Sequence, residues 1–374
     1  MKKVLLYLAS NSTFYTNLYK QIKNGFEEAG LEVIGGYSLL EEKELLQKID
    51  DIKPYFVFEM NRCKNEIKKF PKDVIHICWL VDFWGRKHKD IEGSDILYCW
   101  TKSWVRPFLE NSSNKNVLFL PPATSKEIYY PLKNQEKAND FLFLGHIPNP
   151  WNKNELEREI GYIHNKKIQF KDILPILESY IMNKNINVSC HDFLKQKNVL
   201  LNEEIDKTLE YDITSRTFRQ VRRKNFIYAF CKNKSFNTSI FGTQNWNNYE
   251  EFKTFYRGFL DSPKRINEEL SKSNILLHDG NYPHFRTFDA MAAKCCVAAC
   301  EVPNSFGQVW ESIGFEENIH FIKVNFFSNN IDFNKFKNKN LIIDIKENAY
   351  KKVLKEHLWV HRVQTILNDI KELK

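Results

Sequence analysis

The residues with the most chemical content lie between Ser273 and Ala299, where the chain reads Ser-Asn-Ile-Leu-Leu-His-Asp-Gly-Asn-Tyr-Pro-His-Phe-Arg-Thr-Phe-Asp-Ala-Met-Ala-Ala-Lys-Cys-Cys-Val-Ala-Ala. An apolar run, a polar loop with a glycine, a helical pattern and a second apolar run follow one another. A loop that opens a helix presents unpaired backbone N–H groups and the positive end of the helix dipole, and both favour a diphosphate. Arg286 adds a forked cation at the same place. The dipole disfavours a cation there unless an anion is bound, so its position argues for binding. Asp289, one turn further in, suits the hydroxyls of a ribose, although an acid in a first turn is favoured for dipole reasons alone. His278 and His284 flank the loop, and either can polarise a phosphate or a hydroxyl.

The elements that must position these groups alternate. Residues 3–9 form an apolar run, Ser10 to Thr13 a polar turn, and Phe14 to Ala29 an amphipathic helical pattern that Gly30 stops. Leu31–Ile34, Tyr55–Glu59, Val74–Val81, Ile96–Trp100 and Val117–Leu120 read as further strands, with helices at Glu41–Ile49 and Lys102–Asn111. Such alternation predicts a parallel sheet covered on both faces. Ligands of such sheets lie beyond the carboxyl ends of the strands. By that rule Asn11 and Ser12 are candidate acceptor contacts, with helix N-capping the competing role. Asp82 is a candidate general base, a turn or cap role being the alternative. The aromatic cluster Trp79, Phe83 and Trp84 reads as core.

Lys133–Asn139 is polar and without apolar periodicity, which marks a linker and closes a first domain at residues 1–136. A second domain, 137–347, opens with the strand Phe141–Leu144 and Gly145. It continues with strands at Thr238–Phe241, Ile275–His278, Val297–Cys300 and His320–Val324. Gly145 and Gly242 end strands where backbone can approach a ligand, or simply where a turn is needed. Residues 150–235 read as a mainly helical insertion interrupted near Pro175, and its Arg219, Arg222 and Arg223 as a solvated helix face from which Arg223 can reach a diphosphate. Residues 348–374 predict one long amphipathic helix that crosses back to the first domain.

Composition sets the class. A chain of 374 residues exceeds what one core usually serves, and 43% hydrophobic with 14% aromatic residues excludes a disordered chain. The net charge of +8 is spread over 55 basic and 47 acidic residues without a long Lys/Arg run, so no nucleic-acid partner is expected. A phosphorylated small ligand, or peripheral association with an anionic membrane surface, suits this balance equally. The eight cysteines form no Cys-x-x-Cys pair and several sit in apolar runs, so buried free thiols are expected, with no metal and no cofactor. The short apolar start leads into a turn and helix rather than a signal peptide, and no run approaches the roughly 20 apolar residues of a membrane span. A cytoplasmic location is the resulting expectation.

The segment Phe285-Arg-Thr-Phe-Asp-Ala-Met-Ala-Ala-Lys294 resembles the donor-site helix of GT-B glycosyltransferases, and the second half is similar to their CgeB-like, spore-maturation branch. Phe141-Leu-Phe-Leu-Gly145, Ile240-Phe-Gly-Thr-Gln-Asn-Trp246, the Gly258–Pro263 turn and His357-Leu-Trp-Val-His-Arg362 occur in the family's order. So do Trp79-Leu-Val-Asp82 and Val117-Leu-Phe-Leu-Pro-Pro-Ala123. The resemblance implies two Rossmann-like α/β domains facing across a cleft, and a sugar moved from a nucleotide-sugar donor, held by the second domain, to a glycan, lipid-linked glycan or protein. It implies donor contacts from Gly145, His146, Arg223, Gly242, Asn281, Phe285, Arg286, Thr287 and Asp289, acceptor contacts from Asn11 and Ser12, and Asp82 and His284 as catalytic groups. Many retaining members carry two Glu with seven residues between them; here Asn281 and Asp289 stand there, so the first carboxylate is missing. A nucleotide-sugar epimerase and a non-catalytic nucleotide-sugar- or glycan-binding protein are the other readings of the same pattern.

Overall fold

The computed structural model describes residues 1–83, 86–133, 135–183, 188–202, 206–280, 282–301, 309–326 and 331–373. The chain opens with β1 (Lys3–Tyr7), α1 (Thr13–Glu28), β2 (Glu32–Gly36), α2 (Glu42–Ile52), β3 (Phe56–Met60), β4 (Ile75–Leu80), β5 (Ile96–Cys99), α3 (Val105–Asn111) and β6 (Val117–Phe119). These strands form one parallel sheet in the order β2-β1-β3-β4-β5-β6. The order reverses between β1 and β3, where such sheets hold ligands. Ser12 caps α1 by accepting from Tyr15 N at 3.4 Å, and Leu18, Ile22 and Phe26 then repeat at helical spacing into the core.

The second half supplies β7 (Asn139–Leu144), α4 (Lys153–Leu156), β8 (Glu159–Ile163), β9 (Lys166–Gln169), α5 (Phe170–Met182), α6 (Cys190–Gln196), β10 (Val199–Leu201), α7 (Lys207–Tyr211) and α8 (Lys224–Cys231). It continues with β11 (Thr238–Phe241), α9 (Pro263–Ser271), β12 (Ser273–His278), α10 (Phe285–Ala292), β13 (Cys296–Cys300), β14 (Ile322–Val324), α11 (Asn334–Lys337), α12 (Lys339–Glu356) and α13 (Trp359–Glu372). A second parallel sheet runs β11-β7-β12-β13-β14, its order reversing between β7 and β12.

Two sequence expectations need correction. The insertion is mainly helical, as expected, but it also holds a three-stranded antiparallel sheet, β10-β8-β9, over its own core of Ile160, Phe170, Leu177 and Ile213. His164 and Asn165, both at positive φ, make the two-residue turn that joins β8 to β9. Pro175 lies inside α5 rather than interrupting it. The carbonyl its ring displaces belongs to exposed Lys171, which water can serve.

The C-terminal segment is likewise two helices. At Thr124 the chain passes beside the α12–α13 junction: Thr124 N donates to His357 O at 3.2 Å and Trp359 N to Thr124 O at 3.1 Å. These bonds compete with continuation of the helix. Buried Arg362 fixes the turn, donating to Pro121 O, Pro122 O and Glu356 O at 2.9–3.1 Å. Beyond the break, Trp359, Val363, Ile366 and Ile370 pack into the first sheet's core against α1. Gly25 permits this, because a β-carbon there would stand 2.8 Å from Trp359 Cβ. Among the described residues no helix is long and apolar enough to cross a membrane, and all eight cysteines are free and buried.

A polar network ties β3 and β4 together. Fully buried Glu59 accepts from Arg62 Nε at 2.9 Å and Nη2 at 2.5 Å, and lies 3.1 Å from His76 Nε2, whose Nδ1 meets Ser94 Oγ at 3.0 Å. Burial alone would raise the Glu59 pKa, but the bonds from His76 and Arg62 outweigh it and hold the carboxyl below its ordinary value. A lowered carboxyl stabilises the fold above its unfolded-state pKa of about 4.3, and that contribution is lost as pH falls through the folded value. Glu59→Gln should therefore cost about 2–4 kcal/mol at pH 7 and progressively less below about pH 4, as read by denaturant unfolding at the two pH values.

Candidate functional site

The two sheets face each other across a cleft of about 270 Å³. One wall is α1, through Thr13, Phe14, Asn17, Leu18 and Gln21; the other comprises the strand ends and loops of the second sheet together with Tyr129. The carboxyl ends of β7, β11 and β12 converge there. Gly145 and Gly242 follow β7 and β11 and are packed back to back: a β-carbon on Gly242 would fall 1.9 Å from Gly145 O. One on Gly145 would fall 2.8 Å from Arg286 Nη1. Gly242 is thus demanded by backbone packing, whereas Gly145 is crowded only by the side chains of Arg286 and Phe143; both glycines line the cleft.

From β12 the chain turns through Asp279 and Gly280 to His284, the N-cap of α10. Arg286, partly buried, donates through Nη1 to Leu144 O at the end of β7. Burial brings its pKa down to about 10, with Arg223 adding to the effect, so it stays charged at neutral pH. Arg223 grips the buried Asp279 through Nε to Oδ2 at 2.7 Å and Nη2 to Oδ1 at 3.3 Å, and also bonds His146 O. Burial opposes ionisation of Asp279, but Arg223 prevails and keeps its carboxyl far below the ordinary range. Arg219 donates to His146 Nε2 at 3.3 Å.

The histidines of this cluster are neutral at pH 7. Burial first, then Arg223, Arg219 and Arg286, lower His146 to about 4; burial lowers His278 to about 4 as well and, with Arg286, takes His284 well below its usual value. His278 Nε2 bonds Tyr282 O at 2.8 Å, while Nδ1 of His278 and of His284 are buried without a hydrogen-bond partner among the described residues. Three guanidinium groups, of Arg219, Arg223 and Arg286, therefore surround one ionised carboxylate and three neutral imidazoles. The surplus is positive and concentrated at the start of α10.

Asp289 lines the same cleft, is 8% exposed and accepts from Thr124 Oγ1 at 2.6 Å. Burial raises its pKa to about 8 against the opposing effects of Thr124 and Arg286. A carboxyl raised in this way costs stability as pH climbs from the ordinary carboxylate range toward 8.

Of the residues singled out from sequence, Gly145, His146, Gly242, His284, Phe285, Arg286 and Asp289 line the cleft. Others do not. Arg223 stands behind the lining, coupled to it through Asp279 and His146, and Arg219–Arg223 forms a π-helical turn at the site rather than a solvated face. Thr287 is fully buried and closes the N-terminal turn of α10, accepting from His284 N at 2.9 Å and donating to His284 O at 2.7 Å. Phe285 does line the cleft, but it is only 6% exposed and its ring packs in the first sheet's core with Trp79 and Phe14, at 5.8 and 5.4 Å between centroids. Ser12 is the cap of α1, Asn11 is exposed beside it, and exposed Asp82 follows β4; none of the three lines the cleft. Asn281 lies outside the described residues, as does Trp84.

Sequence reasoning passed over Asp279, Thr124 and the α1 wall. Thr13, Asn17 and Gln21 recur every fourth residue, a signal that was readable. Thr124 carried none, because its partner is 165 positions away. Among the described residues no cluster of three or more His, Cys, Asp or Glu side chains is arranged to hold a metal ion.

A ligand hydroxyl donating to Asp289 would favour its ionised form. Binding of a ribose-containing ligand should then release protons near pH 7 and tighten as pH rises toward 8. Calorimetry in buffers of different ionisation enthalpy should show the release, and Asp289→Asn should abolish it.

Residues 216–368 match a family model described as glycosyl transferase-like. A search of curated protein sequences returns no match. Solved structures of the same shape include a glycosyltransferase from Rickettsia africae (TM-score 0.56, 11% identity, covering 100% of this chain and 98% of that one). An α-glucosyltransferase in complex with UDP and a 13-mer DNA gives 0.55 at 9% identity, covering 99% of each chain. The Anabaena protein HepE, in complex with UDP and glucose, gives 0.51 at 11% identity, again covering 99% of each. The chain has the two-domain GT-B fold of these glycosyltransferases, and its residues 216–368 match the glycosyl transferase-like family model.

Proposed function

We propose that the protein is a glycosyltransferase that moves a sugar from a nucleoside-diphosphate donor to a hydroxyl acceptor on a glycan, a lipid-linked glycan or a protein. The observation that carries this reading is the surplus of guanidinium charge around the α10 N-terminus: Arg219, Arg223 and Arg286 against the single carboxylate Asp279. A diphosphate supplies the missing negative charge, and the free N–H groups of the first turn supply donors to its oxygens. UDP in the HepE and α-glucosyltransferase structures supports the donor class.

In the transfer the acceptor oxygen bonds to the anomeric carbon as the bond from that carbon to the β-phosphate oxygen breaks. The electron pair leaves on the diphosphate, where Arg286 and the helix terminus meet the growing charge. The acceptor proton needs a base. His284, neutral and in the cleft lining, is the candidate that this site favours over exposed Asp82. Asp289 and Gly242 hold the nucleoside half. With the diphosphate neutralised by guanidinium groups, catalysis is expected to run without a metal.

The interspersed charge favours a non-nucleic-acid acceptor, although the α-glucosyltransferase is in complex with DNA. We place the protein in the CgeB-like branch and in the cytoplasm, where nucleotide sugars are made, with peripheral membrane contact reserved for a lipid-linked acceptor.

Calorimetric titration with UDP, GDP, CDP, dTDP and ADP and their sugar conjugates should find one nucleotide that binds at micromolar concentration. Arg286→Ala should weaken it by about 100-fold, the loss expected for truncating one member of a charge-assisted pair. Transfer should survive excess EDTA. Absence of binding across the panel would overturn the reading, and loss of activity in EDTA restored by Mn²⁺ would overturn its metal independence.

A further inference from the structure

The cleft has a wall that the donor reading leaves without a task. Thr13, Asn17 and Gln21 line it from α1, in the first domain. At 3.6 residues per turn, every fourth position advances only about 40° around a helix, so the three side chains form a polar stripe. It is set beside the apolar face that carries Leu18, Ile22 and Phe26. Burial deepens along the stripe: Thr13 is exposed, Asn17 half-buried and Gln21 only 7% exposed. At the deep end Gln21 Oε1 is buried and has no hydrogen-bond partner among the described residues. A buried amide oxygen left unpaired costs about 1–3 kcal/mol, so the arrangement calls for a donor from outside the protein.

The stripe also has a direction. Its Thr13 end lies beside Phe14, whose ring meets Phe285 next to Arg286 at the anion-binding helix start. Eight residues on, at about 1.5 Å each, Gln21 is about 12 Å further along, roughly the distance from a diphosphate to the far end of its nucleoside. The opposite wall carries, besides Arg286 and His146, the apolar Phe241, Leu260 and Ile266, a surface suited to a flat base.

We propose that Thr13, Asn17 and Gln21 are a nucleoside-recognition ladder, in which Gln21 Oε1 accepts a hydrogen bond from the base or ribose of the donor. The nucleotide is then gripped by both domains, and its binding ties α1 to the second sheet. This inference rests on the donor reading of the cleft. It goes beyond it by giving the first domain a share in donor selection, where acceptor contacts alone were expected.

The test compares wild type, Gln21→Leu and Arg286→Ala for binding of the best ligand among UDP, GDP, CDP, dTDP and ADP, and of inorganic pyrophosphate. Gln21→Leu should weaken the nucleotide at least tenfold and leave pyrophosphate binding unchanged. Because it removes an unpaired buried polar atom, it should leave the Tm of the free protein unchanged or higher. Asn17→Ala should show a smaller loss of the same kind. If no nucleotide binds wild type, the donor reading itself fails. If a nucleotide binds and Arg286→Ala abolishes it, but Gln21→Leu binds within twofold of wild type, the ladder alone is overturned. A Tm lowered by several degrees in Gln21→Leu would also overturn it, marking Gln21 as a structural residue.

Discussion

Phe285 is the point on which the rest of the molecule turns. It is the first residue of α10, in the second domain, yet its ring is buried with Trp79 of β4 and close to Trp359 of α13 through Trp79, in the core of the first domain. Trp79 is itself held by its indole N–H to Leu120 O at 3.0 Å. Large aromatic surfaces contribute most per residue to burial, and edge-on contacts between them add directionality. Seating this ring fixes where the N-terminus of α10 points, and with it Arg286 and His284. The same residue therefore closes the interface and aims the site.

Around that anchor the chemistry follows from imbalance. The second sheet brings Gly145, Gly242 and the loop after β12 to one place because parallel strands end together at its carboxyl edge. A side chain cannot be accommodated at Gly242, and Gly145 has none, so Arg286 lies against bare backbone. Arg223 and Arg219 are added by a π-helical turn of the insertion, which places a second domain-like body at the edge of the cleft. With Asp279 the one ionised carboxylate in the cluster, the folded protein holds positive charge in partial desolvation, an arrangement that gains stability when a multivalent anion binds. Asp289 sits at the opposite limit, a carboxyl whose pKa burial raises to about 8.

The sheets and the loop-to-helix junction were legible before the structure because their causes are local. Buried parallel strands read as apolar runs between Gly and polar turns, and Arg286 at a helix start is a visible conflict with the helix dipole. The small sheet within the helical insertion was missed for an equally physical reason. β8, β9 and β10 are three to five residues long, and short apolar runs carry no periodicity that separates strand from helix. The break at His357 was invisible because Thr124, which pairs with Leu358, lies more than 200 positions earlier in the chain.

By itself, then, the sequence determined the two alternating α/β patterns, the placing of Arg286 at the start of α10 and the absence of a membrane-length apolar run. Those properties depend on residues within a few turns of one another. The structure chose the capping role for Ser12 and Thr287, and it alone decided that Phe285 faces the other domain, that Asp289 meets Thr124, and that Gln21 Oε1 is buried in the cleft without a partner among the described residues. The last three depend on burial and on packing between distant parts of the chain, and burial is a property of the packed whole that no local pattern encodes.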